Sequence, residues 1–370
     1  MRHTPFKTDQ EKKLVFAMML SSILPLLDSS IVNVILPSIS KDIGRSNIHM
    51  QWTITAYMIS CSAGILLSPF VNKRFGIKVS WLYSMSLFLI GSILVGLSMN
   101  MTLLITSRCL QGIGAGILMP VSQSALAIQF NRERLKSMMA LVATPAVFAP
   151  ALGPVVGAII TDSFNWRVAF FINIPIISIS LAIGHGAIPT TERLREKFNL
   201  FVFLLFFISL ACIFISIEML FSQPGIQGVY KPVLLIGFSL LLISVFFNNI
   251  SSNKVIYLGQ FKSKEYASSI TMGFLTSFIF FTFLIFFPLQ KSYEQNASIV
   301  CIGGLLALQG VGAWLSRRFI YNKINDYNVF LIIGGGMIVS AMGIWIMEVG
   351  GIFFESLGLI VRGSGLGVRG

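Results

Sequence analysis

Charge is what this sequence lacks most. Of its 370 residues only 11% are charged, while 55% are hydrophobic. A water-soluble domain carries roughly 25% charged residues, so this chain has no surface fit for water. Histidine is scarce as well, and His3, His49 and His185 fall in separate loops or span ends. A membrane-embedded enzyme would need acids, histidines or metal ligands clustered at one depth, and the sequence offers no such cluster. The four cysteines (Cys61, Cys109, Cys212, Cys301) lie inside or at the ends of apolar runs. None has metal-ligand or disulfide-framework spacing, so they read as packing residues, and no metal or cofactor is expected. No cleavable signal peptide is expected either. The first apolar run, near 14–36, is too long for a signal core and no small-residue cleavage site follows it.

What is present is a succession of apolar runs. Each is about 20 residues long, enough to cross a hydrocarbon core of about 30 Å. The first six cover about 14–36, 50–70, 79–98, 103–128, 138–161 and 168–188. Five more cover about 199–221, 232–250, 267–289, 298–317 and 329–348, and a twelfth starts near 352. The formal net charge of +13 would suggest nucleic acid as the partner of a soluble chain. Here the positive-inside rule accounts for it, and no nucleic-acid partner is expected. With the N-terminus inside, the tail and the even-numbered loops carry nineteen basic residues, and the opposite loops five. A missed or invented helix would scramble that alternation. The expected fold is therefore an all-α polytopic membrane protein with a cytoplasmic N-terminus.

The charged linker Thr191–Lys197 separates six helices from the rest. That divides the chain into a six-helix half at 1–190, a linker and inserted helix pair at 191–255, and a second half at 256–370. Six helices before a linker fit a transporter half built from two three-helix repeats. A weak repeat links the loop at 70–79 with 319–328, where Gly76 and Asn325 coincide. Both residue types tolerate a left-handed turn.

Polar residues inside apolar spans carry the chemistry. The first span holds Leu27-Asp-Ser-Ser-Ile-Val-Asn-Val-Ile-Leu-Pro37. An acid there costs a few kcal/mol and must face a cavity or a partner. Asp28 thus either lines the transport path or is a hydrogen-bonding anchor between helices. Asn33 lies about 140° round the helix from it, so the two need not share a face. The fourth span carries Arg108-Cys-Leu-Gln-Gly-Ile-Gly-Ala-Gly-Ile-Leu-Met-Pro120, and Arg108 is the only basic residue expected within a span. Its guanidinium stays charged, so it cannot be the carried proton. It can hold a nearby carboxylate ionised and release it when helices move. Asp28, Asn33, Arg108 and Gln111 are the candidates for proton coupling and the transport path. Gly112 and Gly116 are spaced for close helix contact. The pair Gly112 and Gly114 is no nucleotide loop, because no strand precedes it.

The fifth span holds Pro145, Pro150 and Gly153-Pro154-Val-Val-Gly157. Three prolines remove backbone donors and bend a helix, and Gly153 and Gly157 allow close packing. The segment is either a kinked structural helix or a pliable element for alternating access, and the latter is favoured. Trp166 and Arg167 read as an interfacial anchor at the start of the sixth span, and Glu218 as an outer-interface acid.

Taken together, these motifs resemble the drug:proton antiporter-2 family of the major facilitator superfamily. The matching stretches are Asp28–Pro37, Arg108–Pro120, Pro145–Gly157 and Trp166–Pro175, and the extra pair at 199–250 is what makes such proteins 14-spanners. The resemblance implies proton-coupled efflux of amphipathic drugs across the inner membrane by alternating access, with Arg108 in proton coupling. Its partners would be a small-molecule substrate, protons and the lipid bilayer; a periplasmic adaptor protein is left open. Two departures stand out. In the second loop Lys73 replaces the family's acid, while Arg74, Gly76 and Lys78 keep its pattern. Gln309-Gly-Val-Gly312, in the tenth span, carries no acid, so a dedicated site for cationic drugs is not expected there. The chain is also expected to stop inside its twelfth helix, at Arg362-Gly-Ser-Gly-Leu-Gly-Val-Arg-Gly370. This leaves the second half incomplete, and the alternative reading is a truncated, non-transporting remnant.

Overall fold

The computed structural model describes residues 6–194, 197–220, 229–295, 304–306, 308–313, 315, 329–348 and 352–367. Among these residues every regular element is helical. In chain order they are α1 (Asp9–Ile43), α2 (Asn47–Phe75), α3 (Ile77–Gly96), α4 (Met101–Gln129) and α5 (Arg132–Ser163). The sixth crossing is broken at Ile172 into α6 (Val168–Phe171) and α7 (Asn173–Gly184). The inserted pair is α8 (Leu200–Leu220) and α9 (Tyr230–Ile250). The second half holds α10 (Lys264–Gln295), the short α11 (Gly304–Ala313), α12 (Val329–Glu348) and α13 (Ile352–Gly367). Six described helices are long and apolar enough to cross a membrane: α1, α2, α3, α4, α8 and α9.

Local sequence sets the helix ends. Thr8 accepts a hydrogen bond from the Glu11 amide and caps α1, and Gly44 ends it at φ 68°. Asn100 and Asn131 cap α4 and α5 in the same way, supplying acceptors for otherwise unpaired first-turn amides. The turn between α2 and α3 is tighter than the sequence suggests. Residues 70–75 remain in α2, and Gly76 alone, at φ 82°, reverses the chain. The Ile77 amide then donates to Thr191 Oγ1 at 3.0 Å, which fastens the linker to this turn. The matching position expected at Asn325 lies outside the described residues.

Burial is inverted where lipid is the solvent. On α9 the buried positions include Gly237, Ser244 and Asn248, while Leu235, Leu242 and Phe246 point outward. Gly237 packs against Cys212 and Ile213 of α8, and the large apolar residues face hydrocarbon, as expected when lipid tails are as apolar as leucine. Within the first half α4 packs on α2 and α3, and α1 packs on α5 and α7.

The second half repeats the helix crossings of the first. Gly64 of α2 sits against Ile113 and Ile117 of α4, and Gly312 of α11 sits against Ile360 and Ser364 of α13. Gly116 faces the Cys61 carbonyl, and Gly363 faces the Gln309 carbonyl. Gly91 of α3 meets Gln111, and Gly343 of α12 meets Gly358. In all three crossings α13 stands in the same register as α4.

One expectation is corrected by α13. The run from Arg362 onward does not break the helix: α13 continues through Gly367. Its glycines sit where neighbouring backbone leaves no room for a Cβ, Gly363 on Gln309 and Gly365 on Gly336 and Ser340. They serve close packing here, not a turn. Arg108 is therefore not the only arginine within a span, since Arg362 is fully buried in α13.

Candidate functional site

Asp28 and Arg108 meet in the middle of the first half. α1 presents the acid and α4 the base, and the side chains are 2% and 1% exposed. Arg108 Nη1 donates to Asp28 Oδ2 at 2.5 Å and to Gln111 Oε1 at 2.6 Å. Gln111 sits one turn along α4, so it reaches the same carboxylate, and its Nε2 donates to Asp28 Oδ1 at 2.7 Å. Asn173 of α7 donates to that oxygen from across the bundle at 3.0 Å. Ser92 Oγ of α3 accepts from both amides, at 2.9 Å from Gln111 and 3.1 Å from Asn173. α2 completes the enclosure: Arg108 Nε reaches the Thr53 carbonyl at 3.4 Å, and the guanidinium lies 4.2 Å from the Tyr57 ring centroid.

The carboxylate of α1 is thus held directly from α4 and α7, and α3 and α2 hold those partners in turn. Both of its oxygens accept hydrogen bonds, one of them from a guanidinium. That is the condition under which a buried charge is tolerated. The geometry can hold Asp28 as a carboxylate. It can also couple any change in that charge to the relative placement of α1, α3, α4 and α7, because every partner sits on a different helix or turn.

The structure brings together three of the four residues chosen from the sequence for this site. Asp28, Arg108 and Gln111 are in direct contact, whereas Asn33 is exposed and takes no part in the network. Asn173, Ser92 and Tyr57 belong to the site and were not singled out. Asn173 lay in the Trp166–Pro175 stretch, where a polar side chain between Ile172 and Ile174 was the available signal.

The glycine and proline candidates support this core from behind. Gly153 of α5 lies against Ser30 and Ile31 of α1, and Gly157 against Ile31 and Ile35. α5 thereby approaches α1 just beyond Asp28. Pro145, Pro150 and Pro154 all lie within α5, which runs unbroken from Arg132 to Ser163. Gly112 and Gly116 of α4 pack on Tyr57 and Cys61 of α2 and bring α2 under Arg108.

Ion pairs mark the two ends of the bundle. Arg134, at the start of α5, grips Glu11 with two hydrogen bonds of 2.7 and 2.9 Å. Glu11 precedes the apolar stretch of α1, and the Arg134 guanidinium beside it holds its carboxyl down to about 2. At the opposite end Asp42 accepts from Arg167 Nη1 at 2.7 Å and from Trp166 Nε1 at 3.2 Å. Arg167 also donates to the Ser98 carbonyl at 2.9 Å. Of the second-loop residues, Lys73 donates to the Tyr257 hydroxyl at 3.2 Å, Arg74 is exposed, and Lys78 is half-buried in the first turn of α3. Glu218 of α8 accepts from Thr55 Oγ1 at 2.9 Å and so joins the inserted pair to α2.

The profile of the Major Facilitator Superfamily matches residues 18–368. The chain belongs to this superfamily. As a major facilitator protein it is a multi-pass membrane protein, in keeping with its apolar helices. Multidrug resistance protein 3 of Bacillus subtilis is 26% identical over 334 residues, covering 89% of this chain and 65% of that protein. The multidrug export protein EmrB of Escherichia coli is 33% identical over 195 residues, covering 52% of this chain and 38% of its own. The chain therefore spans from well under half to just under two thirds of the length of these relatives. Solved structures share the fold. The proton:xylose symporter XylE bound to 6-bromo-6-deoxy-D-glucose aligns with a TM-score of 0.67 at 12% identity, covering 98% of this chain and 81% of that one. The transporter PepTSo of the POT family aligns at 0.60 and 14% identity, covering 96% and 81%.

Proposed function

We propose that this major facilitator protein exports amphipathic drugs or related small solutes in exchange for protons. It would work by alternating access, in the inner membrane, with its N-terminus in the cytoplasm. The observation that carries the proton coupling is the closed network on Asp28. A carboxylate held by one guanidinium and two amides from separate helices is a switchable charge. While the helices stay packed, Arg108 stays paired with Asp28. A shift of α4 against α1 parts the pair and exposes a carboxylate that takes up a proton. Arg108 keeps its own proton throughout and acts by position. The names of the relatives, multidrug resistance and multidrug export proteins, support drugs as the substrate class. The basic tail and even loops support the orientation. Residues 1–190, 191–255 and 256–370 form the two halves and the inserted pair, and the substrate path lies between the halves near the midplane.

The test is transport by the chain reconstituted in liposomes under an imposed pH gradient, with ethidium as the probe. Gradient-dependent dye movement that a protonophore abolishes is expected. The Asp28→Asn variant keeps volume and one of the two acceptor oxygens but removes the ionisable group, so it should lose the dependence on the gradient. Dye movement indifferent to the gradient, or an unchanged pH dependence in Asp28→Asn, would sink the proposal.

A further inference from the structure

Arg362 stands outside the Asp28 network, in the interior of the second half. Its side chain is fully buried on α13. Nη2 donates to the Ile279 carbonyl of α10 at 3.1 Å, and the guanidinium carbon lies 3.5 Å from the Phe283 ring centroid. Nε and Nη1 have no acceptor among the described residues. Glu355 is the only acid of α13 and sits seven residues away, about 10 Å along the helix axis.

Buried donors without an acceptor are rare in folded proteins, and an unpaired buried charge is costly. The helix crossings hold this one in place. Gly343 of α12 closes on the backbone of Arg362 itself, and Gly363 closes on the Gln309 backbone of α11. The neighbours share the deficit. Gln309 and Ser340 are buried, and neither polar atom of the Gln309 amide nor Ser340 Oγ has a partner among the described residues. Gln309 faces Gly363 and Ser340 faces Gly365, so all three polar residues meet about one turn of α13. The border on the α10 side is aromatic. Phe283 stacks on Phe287 with centroids 5.1 Å apart and planes at 21°, and Phe287 continues into a cluster with Leu305, Leu306 and Leu359.

We propose that Arg362 binds the carboxylate of an aromatic acid and so admits anionic amphiphiles to the solutes this protein carries. The inference rests on the export of amphipathic solutes and names one class among them. A carboxylate brings what Arg362 lacks, a negative charge and acceptors for Nε and Nη1, and planar guanidinium suits it better than any other side chain does. The ring of the acid lies against Phe283 and Phe287. A neutral amphiphile brings no charge, and a cation is repelled. Arg362 is covered on all sides in the state described, so the acid enters when α10 and α13 part during alternating access.

The full chain, purified in mild detergent, is titrated calorimetrically near neutral pH with 2-naphthoate, 2-naphthamide and 2-naphthylmethylammonium, which share a ring and differ in charge. The carboxylate should bind at least about tenfold more tightly than the amide, the worth of a hydrogen bond between charged partners, and the ammonium should bind most weakly. Arg362→Met should bind 2-naphthoate no better than 2-naphthamide. Arg362→Lys keeps the charge without the planar fork. It should retain a smaller preference, and it decides the matter if the methionine variant does not fold. Lys12→Gln, an exposed cation removed elsewhere, should bind all three probes as the parent does. Equal affinity for the three probes, no measurable binding of 2-naphthoate, or an undiminished preference in either Arg362 variant would overturn the site. Equilibrium binding needs no pH gradient, whereas the export reading is tested by gradient-driven ethidium movement, so either can fail alone.

Discussion

Each half of the molecule buries an arginine on a helix that crosses two others, and the two arginines have different surroundings. Arg108 has an acid, an amide oxygen, a backbone carbonyl and an aromatic ring around it. Arg362 donates to the Ile279 carbonyl at 3.1 Å and lies 3.5 Å from the Phe283 ring centroid. Its Nε and Nη1 find no acceptor among the described residues. The crossings themselves repeat. Aligning Ile113 with Ile360 and Gly116 with Gly363 sets Arg108 opposite Glu355, which is also buried, and sets Arg362 about two turns further along. The first half therefore places a cation where the second places an acid. A crossing made of glycine and backbone fixes where helices lie, and leaves the charge they carry free to differ. The repeated crossings thus carry an asymmetric charge pattern.

The largest expected effect is at the paired arginine. Arg108→Ala leaves the Asp28 carboxylate buried without its cation, a change that costs about 3–5 kcal/mol. Thermal unfolding in detergent should show a large drop in midpoint or a loss of folded protein. Adding Asp28→Asn to Arg108→Ala removes the stranded charge and should recover part of the loss. No recovery in the double variant would mean that Arg108 stabilises the bundle by packing on Tyr57 and not by pairing.

Asn173→Ala comes next. Asp28 Oδ1 keeps its bond from Gln111, and Ser92 keeps one donor, so the cost should be about 1–2 kcal/mol. Unfolding midpoints of Asn173→Ala and of Ser92→Ala measure it. A double variant that loses no more than the worse single one would show that the two act as one unit. Arg362→Met ranks lower. An apolar side chain of similar length in place of a buried cation with no acid beside it among the described residues should change stability by less than about 1.5 kcal/mol, in either direction. A loss as large as that of Arg108→Ala would mean that the two arginines are equivalent.

Much of this was legible in the sequence, and the limits have physical causes. Apolar runs of membrane length located the helices, because lipid demands a continuous hydrogen-bonded helix wherever the chain crosses. Asp28, Arg108 and Gln111 were legible because an ionisable or strongly polar residue is expensive in such a run and must have a partner. The identity of the remaining partners was not legible. Asn173 meets Asp28 across 145 positions of sequence, and no local pattern encodes that pairing. Asn33 looked equivalent to Gln111 by residue type, but the helix turns it away from the network. The glycines after Arg362 looked out of place in an apolar helix because glycine reads as a break when its neighbours in space are unknown. The backbone of Gln309 and Ser340 pressed against them shows why they are there.

The smallest effect sharpens the contrast between core and rim. Glu11 and Arg134 form a bidentate pair like that of an interior site, but their side chains are 9% and 23% exposed, and the pair lies beyond the apolar stretch. Water reaches it from the end of the bundle, so its contribution is expected to stay below that of the Asp28 network. Its signature is the pH at which it disappears. Pairing lowers the Glu11 carboxyl from 4.5 to about 2 in the folded chain. The folded state therefore binds this proton less readily than the unfolded state, and the contribution is fully present above the unfolded value. It fades as pH falls from about 4.5 towards 2. Unfolding midpoints of the parent and of Glu11→Gln, taken from pH 7 downward, should differ by a small constant amount until the pH reaches the ordinary carboxylate range, and then converge. Arg134→Gln should reproduce that profile, because either change removes the same pair. A gap between parent and Glu11→Gln that persists unchanged through acid would show that Glu11 stabilises α1 by capping its own first turn, through Thr8 and the Lys7 amide, and not by pairing with Arg134.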